Sequence, residues 1–282
     1  MKYIDLHTHS SCSDGSLDPT ALVNEANSAD LSAIALTDHD TVSGVEEAIA
    51  AGQKNGVEVI SGVEISASHD GKPVNILGYG IDPTNDELSD LIDELQVIRS
   101  NRNSQILEKL GGLGIRIDED ELVASTPGLV GRPHIAGFLV RMKAATNIEH
   151  AFRKFLKKSG KAYVEAEKFP ATESIKTINR TGGIAVLAHP TTFSKSIKNI
   201  RAMVKDMAKN GLGGIEALYP GHSTRTSRML VEIADEFNLI VTGGSDFHGS
   251  IKPGVAIGGA PVMPPIPYIL FEKLQARLVA DR

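Results

Sequence analysis

Pairs of histidine and carboxylate residues recur along this sequence of 282 residues, and their spacing suits the binding of divalent metal ions. His7 and His9 are two residues apart, so on a strand both side chains point to one side, about 7 Å apart along it. Asp246 and His248 have the same spacing, and the two oxygens of Glu64 can bridge two ions. Mixed imidazole and carboxylate ligands favour zinc, manganese or iron over calcium or magnesium.

Each of these motifs also has a simpler structural interpretation when it is taken alone. A single His-x-His pair is a weak signal, Thr37–Asp40 is also typical of a loop that caps a helix, and His189–Pro190 also suits a packed turn. Other histidines, such as His69 and His150, have the surroundings of surface residues. The combination favours a metal site, because the motifs follow predicted strands.

Short apolar runs precede these motifs and predict strands that are buried on both faces. Helical patterns separate several of the runs, which predicts a parallel α/β architecture, either a barrel or an open sheet. Sites in such folds lie at the carboxyl ends of the strands, so the side chains that follow five strands are expected to meet at one rim. The predicted strands are Tyr3–Leu6, Ala33–Leu36, Val57–Val63, Val74–Leu77, Ile184–Leu187, Gly214–Leu218 and Leu239–Thr242.

Helical patterns occur in two settings. Some lie between strands, and the first of these follows Asp18, a good N-cap residue, with Pro19 at the first helical position. Residues 82–161 are nearly all helical, so we predict a main domain of residues 1–81 and 162–282 that carries a helical insertion, residues 82–161, as a substrate-binding cap. The predicted helices are Pro19–Ala29, Ser43–Asn55, Phe138–Lys143, Ile148–Lys158, Thr172–Arg180, Ser196–Asn210 and Thr224–Phe237.

Composition excludes several classes of partner. The net charge of −6 provides no global basic field for long duplex nucleic acid. No apolar run reaches the roughly 20 residues that span a bilayer, so no membrane partner is expected. The first residues lack the apolar stretch of a signal peptide, and the single Cys12 fits a reducing compartment. We therefore expect a cytoplasmic protein.

Taken in order, the motifs resemble those of the PHP (polymerase and histidinol phosphatase) family. They run from residue 3 to about residue 250 and read His-Thr-His-Ser with Ser-Asp-Gly, Leu-Thr-Asp-His-Asp-Thr, Gly-Val-Glu-Ile-Ser, Leu-Ala-His-Pro and Gly-Ser-Asp-Phe-His. Within the family, the sequence is most similar to the branch that hydrolyses nucleoside 3′,5′-bisphosphates, some members of which also trim short RNA. The resemblance implies a distorted (β/α)7 barrel with two or three divalent ions of manganese, zinc or iron at its carboxyl-terminal rim.

The resemblance also implies roles for individual residues. Glu64 bridges the first and second ions, and the remaining ligands are divided among three ions. One position departs from the family, because Asn75 stands where members usually have a histidine ligand, and a neutral amide oxygen is a poorer ligand than imidazole. The implied sets are His7, His9, Glu64 and Asp246 for the first ion, Glu64, Asn75 and His189 for the second, and Asp14, His39 and His248 for the third.

A phosphorylated substrate also needs cationic or hydrogen-bonding groups besides the metals. Arg132 and His134, in the segment Gly131–His134 that resembles the bisphosphate-specific branch, are expected to bind a phosphate at a helix N-terminus. His222 follows another strand and is the third candidate for substrate binding, whereas Arg99 and Arg102 are interpreted as a solvated helix flank. The expected catalytic residues are Asp14, His39, Glu64, His134 and His248.

The resulting hypothesis is an enzyme that hydrolyses a phosphate monoester of a nucleotide. Water activated by the ions attacks phosphorus in line, and the ions neutralise charge on the phosphoryl oxygens. Nucleoside 3′,5′-bisphosphate is the expected substrate, with short 5′-phosphorylated RNA as a second class. The alternatives are a small-molecule phosphatase of the histidinol-phosphate type, another metal hydrolase such as an amidohydrolase, and a non-catalytic PHP interaction module.

Overall fold

The computed structural model describes residues 1–165, Glu167 and residues 169–280. Its centre is a mixed sheet of eight strands in the order β7-β6-β5-β4-β3-β2-β1-β8. The strands are β1 (Tyr3–Thr8), β2 (Leu31–Leu36), β3 (Glu58–His69), β4 (Lys72–Tyr79), β5 (Ile184–Leu187), β6 (Gly214–Leu218), β7 (Ile240–Gly243) and β8 (Ile266–Pro267).

The sheet curves into a nearly closed barrel. Strands β1, β2 and β3 pair in parallel, as do β5, β6 and β7. Thr8 at the end of β1 forms a bridge with Phe247, just after β7, and so brings the two ends of the sheet together. The predicted barrel with helical connections is therefore confirmed, and β8 is a two-residue addition that pairs antiparallel with β1.

Strand β4 departs from the parallel arrangement of the other long strands, because it runs antiparallel to both β3 and β5. The connection between β3 and β4 is only Asp70 and Gly71, with φ values of 48° and 71°. Two left-handed residues match the twist of a tight hairpin, and an Asp-Gly pair is a strong sequence signal for one. Strand β3 also continues to His69, so Glu64 lies within the strand rather than after its end.

Helices cover the barrel. They are α1 (Pro19–Ser28), α2 (Val45–Asn55), α3 (Asp86–Gly112), α4 (Glu119–Ala124), α5 (Arg132–Arg141), α6 (Ile148–Ala151), α7 (Ala171–Arg180), α8 (Ile197–Lys209), α9 (Thr224–Glu236) and α10 (Ile269–Ala280). The helices between β4 and α7 form a block with its own apolar core, which we call the helical block. The start of α1 is as predicted, because the Asp18 side chain accepts a hydrogen bond from the backbone N–H of Ala21 at 2.7 Å.

Among the described residues, four apolar clusters hold the barrel and the helical block, and two of them, the barrel core and the core of the block, include residues of α3. Helix α3 contributes to both, because Leu88, Leu91 and Leu95 pack with α7 and the barrel core, whereas Ile106 and Leu110 pack with α5. The barrel core extends from β3 to α9, and the core of the block is closed by Phe155 and Leu156 in a π-helical turn after α6. The long α3 therefore fixes the position of the block relative to the barrel. Across the described ranges, no helix has both the length and the apolar content to cross a membrane.

Candidate metal centre and adjoining cavity

The carboxyl-terminal rim of the barrel brings together side chains from five strands. His7 lies near the end of β1 with His9 just beyond it, His39 follows β2, His189 follows β5, and Asp246 and His248 follow β7. Glu64 joins them from within β3. The segment after β2 extends the sheet here, because the N–H of Glu64 donates to the carbonyl of Asp38 and the N–H of Asp40 donates to the carbonyl of Glu64.

Two groups of four residues have the geometry of metal sites. In each group one possible ligand atom per residue lies within 4.8 Å of all the others. The Glu64 Oε2 atom is 3.2 Å from Nε2 of both His7 and His9, and Asp14 Oδ1 is 3.2 Å from His248 Nε2. The first group is His7, His9, Glu64 and Asp246, and the second is His9, Asp14, His39 and His248.

Unpartnered polar atoms at the rim show that these side chains fit divalent ions. The buried atoms without a hydrogen-bond partner include His7 Nε2, both ring nitrogens of His9, His39 Nδ1 and Glu64 Oε2. Leaving such atoms unpaired in the interior is costly, and coordination to an ion removes that cost. Imidazole and carboxylate donors in this proportion suit manganese, zinc or iron.

The predicted second set of ligands is also at the rim, but it is bonded differently. Asn75 Nδ2 donates to Glu64 Oε1 at 2.6 Å, and His189 Nε2 lies 2.9 Å from the same oxygen. Neither Asn75 nor His189 belongs to the two groups found among the described residues.

Opposite charges balance one another across the rim. Burial acts to lower the pKa of His7, but the carboxylates of Glu216 and Glu64 outweigh it and raise that pKa well above its usual value. Burial also acts to lower the pKa of His9, but the adjacent carboxylates of Asp246 and Glu64 raise that pKa to about 10. Burial acts to raise the pKa of Glu64, but the charges of His39 and His7 outweigh it and hold that pKa well below its usual range.

Three buried carboxylates behind the rim were missed by the sequence analysis. Glu216 on β6 accepts from Nδ1 of His7 at 2.9 Å and from the backbone N–H of His189 at 2.7 Å. Asp5 accepts from the backbone N–H of Ser245 at 2.8 Å, and Asp38 accepts from the N–H of Ser10 at 2.8 Å. A carboxylate inside an otherwise apolar strand, such as Gly-Ile-Glu-Ala-Leu for Glu216, is the signal that could have identified Glu216 and Asp5.

A lysine at the rim was also not predicted. Lys252 Nζ lies 2.6 Å from Oδ2 of Asp246 and borders a pocket of about 270 Å³ that also touches Glu64, His189 and His248. The ammonium group therefore adds a cation beside the proposed ligands, where a phosphate oxygen can reach it.

A cavity of about 250 Å³ extends from the metal centre to the helical block. Its lining includes Asp14 and His39 of the rim and the cluster of Arg99, Arg102 and Arg132. The interpretation of Arg99 and Arg102 as a solvated flank is wrong. Their polar face of α3 is covered by the loops around it, so the side chain of Arg99 is only 19% exposed.

The three arginines of this cluster have unequal partners. Arg99 donates from Nε to Oδ2 of Asp40 at 3.1 Å, and Arg102 donates to the carbonyl of Val164 at 2.9 Å. Burial and the charge of Arg132 lower the pKa of Arg102 to about 10, and burial followed by the charge of Arg99 lowers that of Arg132. Arg102 and Arg132 are therefore confined guanidinium groups whose charged form a nearby anion would stabilise.

The two remaining predicted substrate residues do not line this cavity. Nδ1 of His134 accepts from the backbone N–H of Gly131 at 2.9 Å, and burial lowers its pKa. His222 packs edge-on against Tyr219 at 5.1 Å, and its Nδ1 lies 3.0 Å from the carbonyl of Ala217. Among the described residues that line the cavity, Arg132 and Pro133 are present but these histidines are not.

Comparison with known proteins gives a consistent set of relatives. The PHP domain matches residues 5–168. A 5′-3′ exoribonuclease of Haemophilus influenzae is 37% identical over 247 residues, which are 88% of this chain and 90% of that protein. A 3′,5′-nucleoside bisphosphate phosphatase of Chromobacterium violaceum is 32% identical over 281 residues, 99% of each protein. The solved structure of a proposed metal-dependent phosphoesterase from Bifidobacterium adolescentis matches with a TM-score of 0.87 at 28% identity, over 98% of this chain and 96% of that one.

Proposed function

The chain belongs to the PHP-domain family, and from this premise we propose that it is a metal-dependent phosphoesterase that converts a nucleoside 3′,5′-bisphosphate to the nucleoside 5′-monophosphate and phosphate. The observation that carries the proposal is the single cavity that joins the metal centre to the cluster of Arg99, Arg102 and Arg132. A substrate with two phosphates can place one at the metal centre and the other at the arginine cluster. A substrate with one phosphate at the metal centre leaves the arginine cluster unused.

The metal ligands are proposed from the two groups of buried donors at the rim. The bound ions would lower the pKa of water and neutralise charge on the phosphoryl oxygens. Asp14, His39, Glu64 and His248 would contribute to catalysis by holding the ions. The proposed ligands are the members of both groups, His7, His9, Asp14, His39, Glu64, Asp246 and His248.

Substrate binding is assigned to the arginine cluster. Arg132 begins α5 and offers a planar guanidinium that binds two phosphate oxygens at once. His134 lies on the first turn of the same helix, where its Nε2 atom is proposed to meet a phosphate oxygen or the leaving group. Residues 82–161 form the proposed substrate-binding cap, and His222 is proposed as a more distant contact near Tyr219.

Short 5′-phosphorylated RNA is a second candidate substrate. The relative from Haemophilus influenzae is named a 5′-3′ exoribonuclease, and a 5′-terminal phosphate would present the same anion to the arginine cluster. Histidinol phosphate is a weaker candidate because it has a single phosphate. A nucleotide substrate and the single Cys12 are both in keeping with the cytoplasmic location that we propose.

A phosphate-release screen tests the proposed function. The manganese-supplemented protein is incubated with adenosine 3′,5′-bisphosphate, histidinol phosphate, sugar phosphates and short 5′-phosphorylated RNA. We expect the fastest release from the bisphosphate, with adenosine 5′-monophosphate as the product, and no release by His9→Ala. Equal rates for histidinol phosphate and the bisphosphate would contradict the proposal.

A further inference from the structure

The polar atoms of the metal centre fall into two chemically different sets. One set is buried and unpartnered, and it contains His7 Nε2, both ring nitrogens of His9, His39 Nδ1 and Glu64 Oε2. The other set is already bonded within the protein, because Glu64 Oε1 accepts from Asn75 Nδ2 at 2.6 Å and lies 2.9 Å from His189 Nε2. The two oxygens of Glu64 therefore have different roles, with Oε2 open toward ions and Oε1 closed by protein groups.

We propose that the centre holds two ions in all. Asn75 closes the position beside Glu64 Oε1 and His189, which the resemblance assigns to the second ion, so that this position binds no ion. The inference deepens the proposed function and rests on its metal dependence, but not on the identity of the substrate. It predicts which of the possible stoichiometries, two or three, this chain has.

Coordination chemistry supports the closed position. An amide nitrogen is a hydrogen-bond donor and has no lone pair available for a metal. Asn75 Nδ2 therefore donates a hydrogen bond to Glu64 Oε1 and cannot serve as a ligand. Of the ligands that the resemblance implies for that position, all of which the structure describes, Glu64 Oε1 and His189 Nε2 remain. Transition-metal sites in proteins typically have three or four protein ligands, so two are too few to hold an ion firmly.

The reversed orientation of the amide is less favourable in the absence of an ion. It would place Oδ1 of Asn75 against Glu64 Oε1 at the 2.6 Å that now separates the amide nitrogen from that oxygen, so two acceptors would face each other. An ion between them would have to offset this contact with a neutral amide oxygen, which is a weak ligand for zinc or manganese compared with imidazole.

Direct counting of bound metal tests the proposal. Chelator-treated protein is reloaded with manganese or zinc, the free metal is removed, and metal per chain is measured by plasma mass spectrometry. We expect two ions for the wild type, two for Asn75→Ala and three for Asn75→His, because an imidazole at residue 75 completes a third ligand set with Glu64 and His189. The double variant Asn75→His/His189→Ala is expected to return to two.

Three ions in the wild-type protein, or two ions in a folded Asn75→His variant, would overturn the proposal. If Asn75→His fails to fold, judged by circular dichroism, His189→Ala decides the matter. It is expected to keep two ions, whereas the loss of an ion from His189→Ala would show that His189 is a ligand. Metal counts and phosphate release fail independently. Two ions without phosphate release would refute only the proposed substrate, and phosphate release with three ions would refute only the closed position.

Discussion

At the scale of single residues, the centre depends on side chains that do not touch an ion. Glu216 is fully buried and joins two strands, because one oxygen accepts from Nδ1 of His7 and the other from the backbone N–H of His189. A carboxylate on Nδ1 keeps the imidazole proton there and leaves Nε2 free as a ligand. The site is therefore set by a residue behind it as well as by the ligands.

The variant Glu216→Gln tests this role. If the new amide nitrogen faces Nδ1 of His7, it moves the ring proton to Nε2, and if it faces the N–H of His189, it leaves that donor unpaired. We expect metal affinity to fall about 10- to 100-fold with the fold retained. Competition with a chelating dye measures the affinity. The matched control is Glu232→Gln, an exposed carboxylate on α9, and unchanged affinity in Glu216→Gln would contradict the role.

Cys12 illustrates the opposite case, a reactive residue type beside the centre with no assigned role. It lies half-buried in the loop between His9 and Asp14, and its carbonyl accepts from the N–H of Leu129. Because a metal-dependent hydrolysis needs no thiol nucleophile, we expect Cys12→Ser to keep kcat and metal content within about twofold of the wild type. A loss of activity with intact metal content would show that the thiol takes part.

At the scale of elements, the sequence was most informative where the chain follows simple periodic rules. The apolar runs identified the strands, and the polar residues after them predicted the rim. Glu64 does not follow the end of a strand, because β3 continues past it to the hairpin turn of Asp70 and Gly71. An Asp-Gly pair is a sequence signal for a hairpin, so this turn could have been predicted. The pairing of residues 38–40 alongside β3 was not, since local periodicity carries no information about which segments meet.

The arginine cluster shows why part of the site could not be predicted. Helical spacing places Arg99 and Arg102 on the polar face of α3, and a polar face usually meets solvent. Here that face is covered by the loop before α5 and by the segment that carries Val164. The covering is a tertiary contact between segments far apart in sequence, so only the folded structure turns two exposed-looking arginines into a cavity wall.

Gly128 of the helical block lies close to the backbone of the loop between His9 and Asp14. A Cβ atom there would lie 2.3 Å from the carbonyl oxygen of Cys12, so the two backbones have no room for a side chain. We expect Gly128→Ala to shift the loop before Arg132, to raise KM for the bisphosphate, and to cost about 1–3 kcal/mol of stability. Steady-state kinetics and thermal unfolding measure both effects.

The matched control for Gly128→Ala is Gly137→Ala. Gly137 lies within α5, and a Cβ atom there would meet nothing within 4 Å. Alanine is the better helix former by about 1 kcal/mol, so this variant is expected to be as stable as the wild type or more so, with KM unchanged. If the two variants behave alike, the close contact at Gly128 does not position the block.

At the scale of the whole molecule, the barrel and the helical block both contribute to the wall of one cavity. The barrel supplies the carboxylates and imidazoles of the metal centre, and the block supplies the cations. Helix α3 packs into the barrel core and into the core of the helical block, so it sets the position of one part relative to the other. The proposed specificity for a substrate with two phosphates would then be a property of the assembled fold, because the metal centre and the arginine cluster come from different parts of it.

A comparison of kcat/KM for adenosine 3′,5′-bisphosphate and adenosine 3′-monophosphate tests this account most directly. The account predicts that the metal-loaded protein prefers the bisphosphate by about tenfold or more, which corresponds to about 1.4 kcal/mol of binding by the arginine cluster. Arg132→Gln is expected to reduce the preference, mainly through KM, and the exposed Arg116→Gln is expected to keep it. Equal kcat/KM values for the two substrates in the wild-type protein would contradict the central claim.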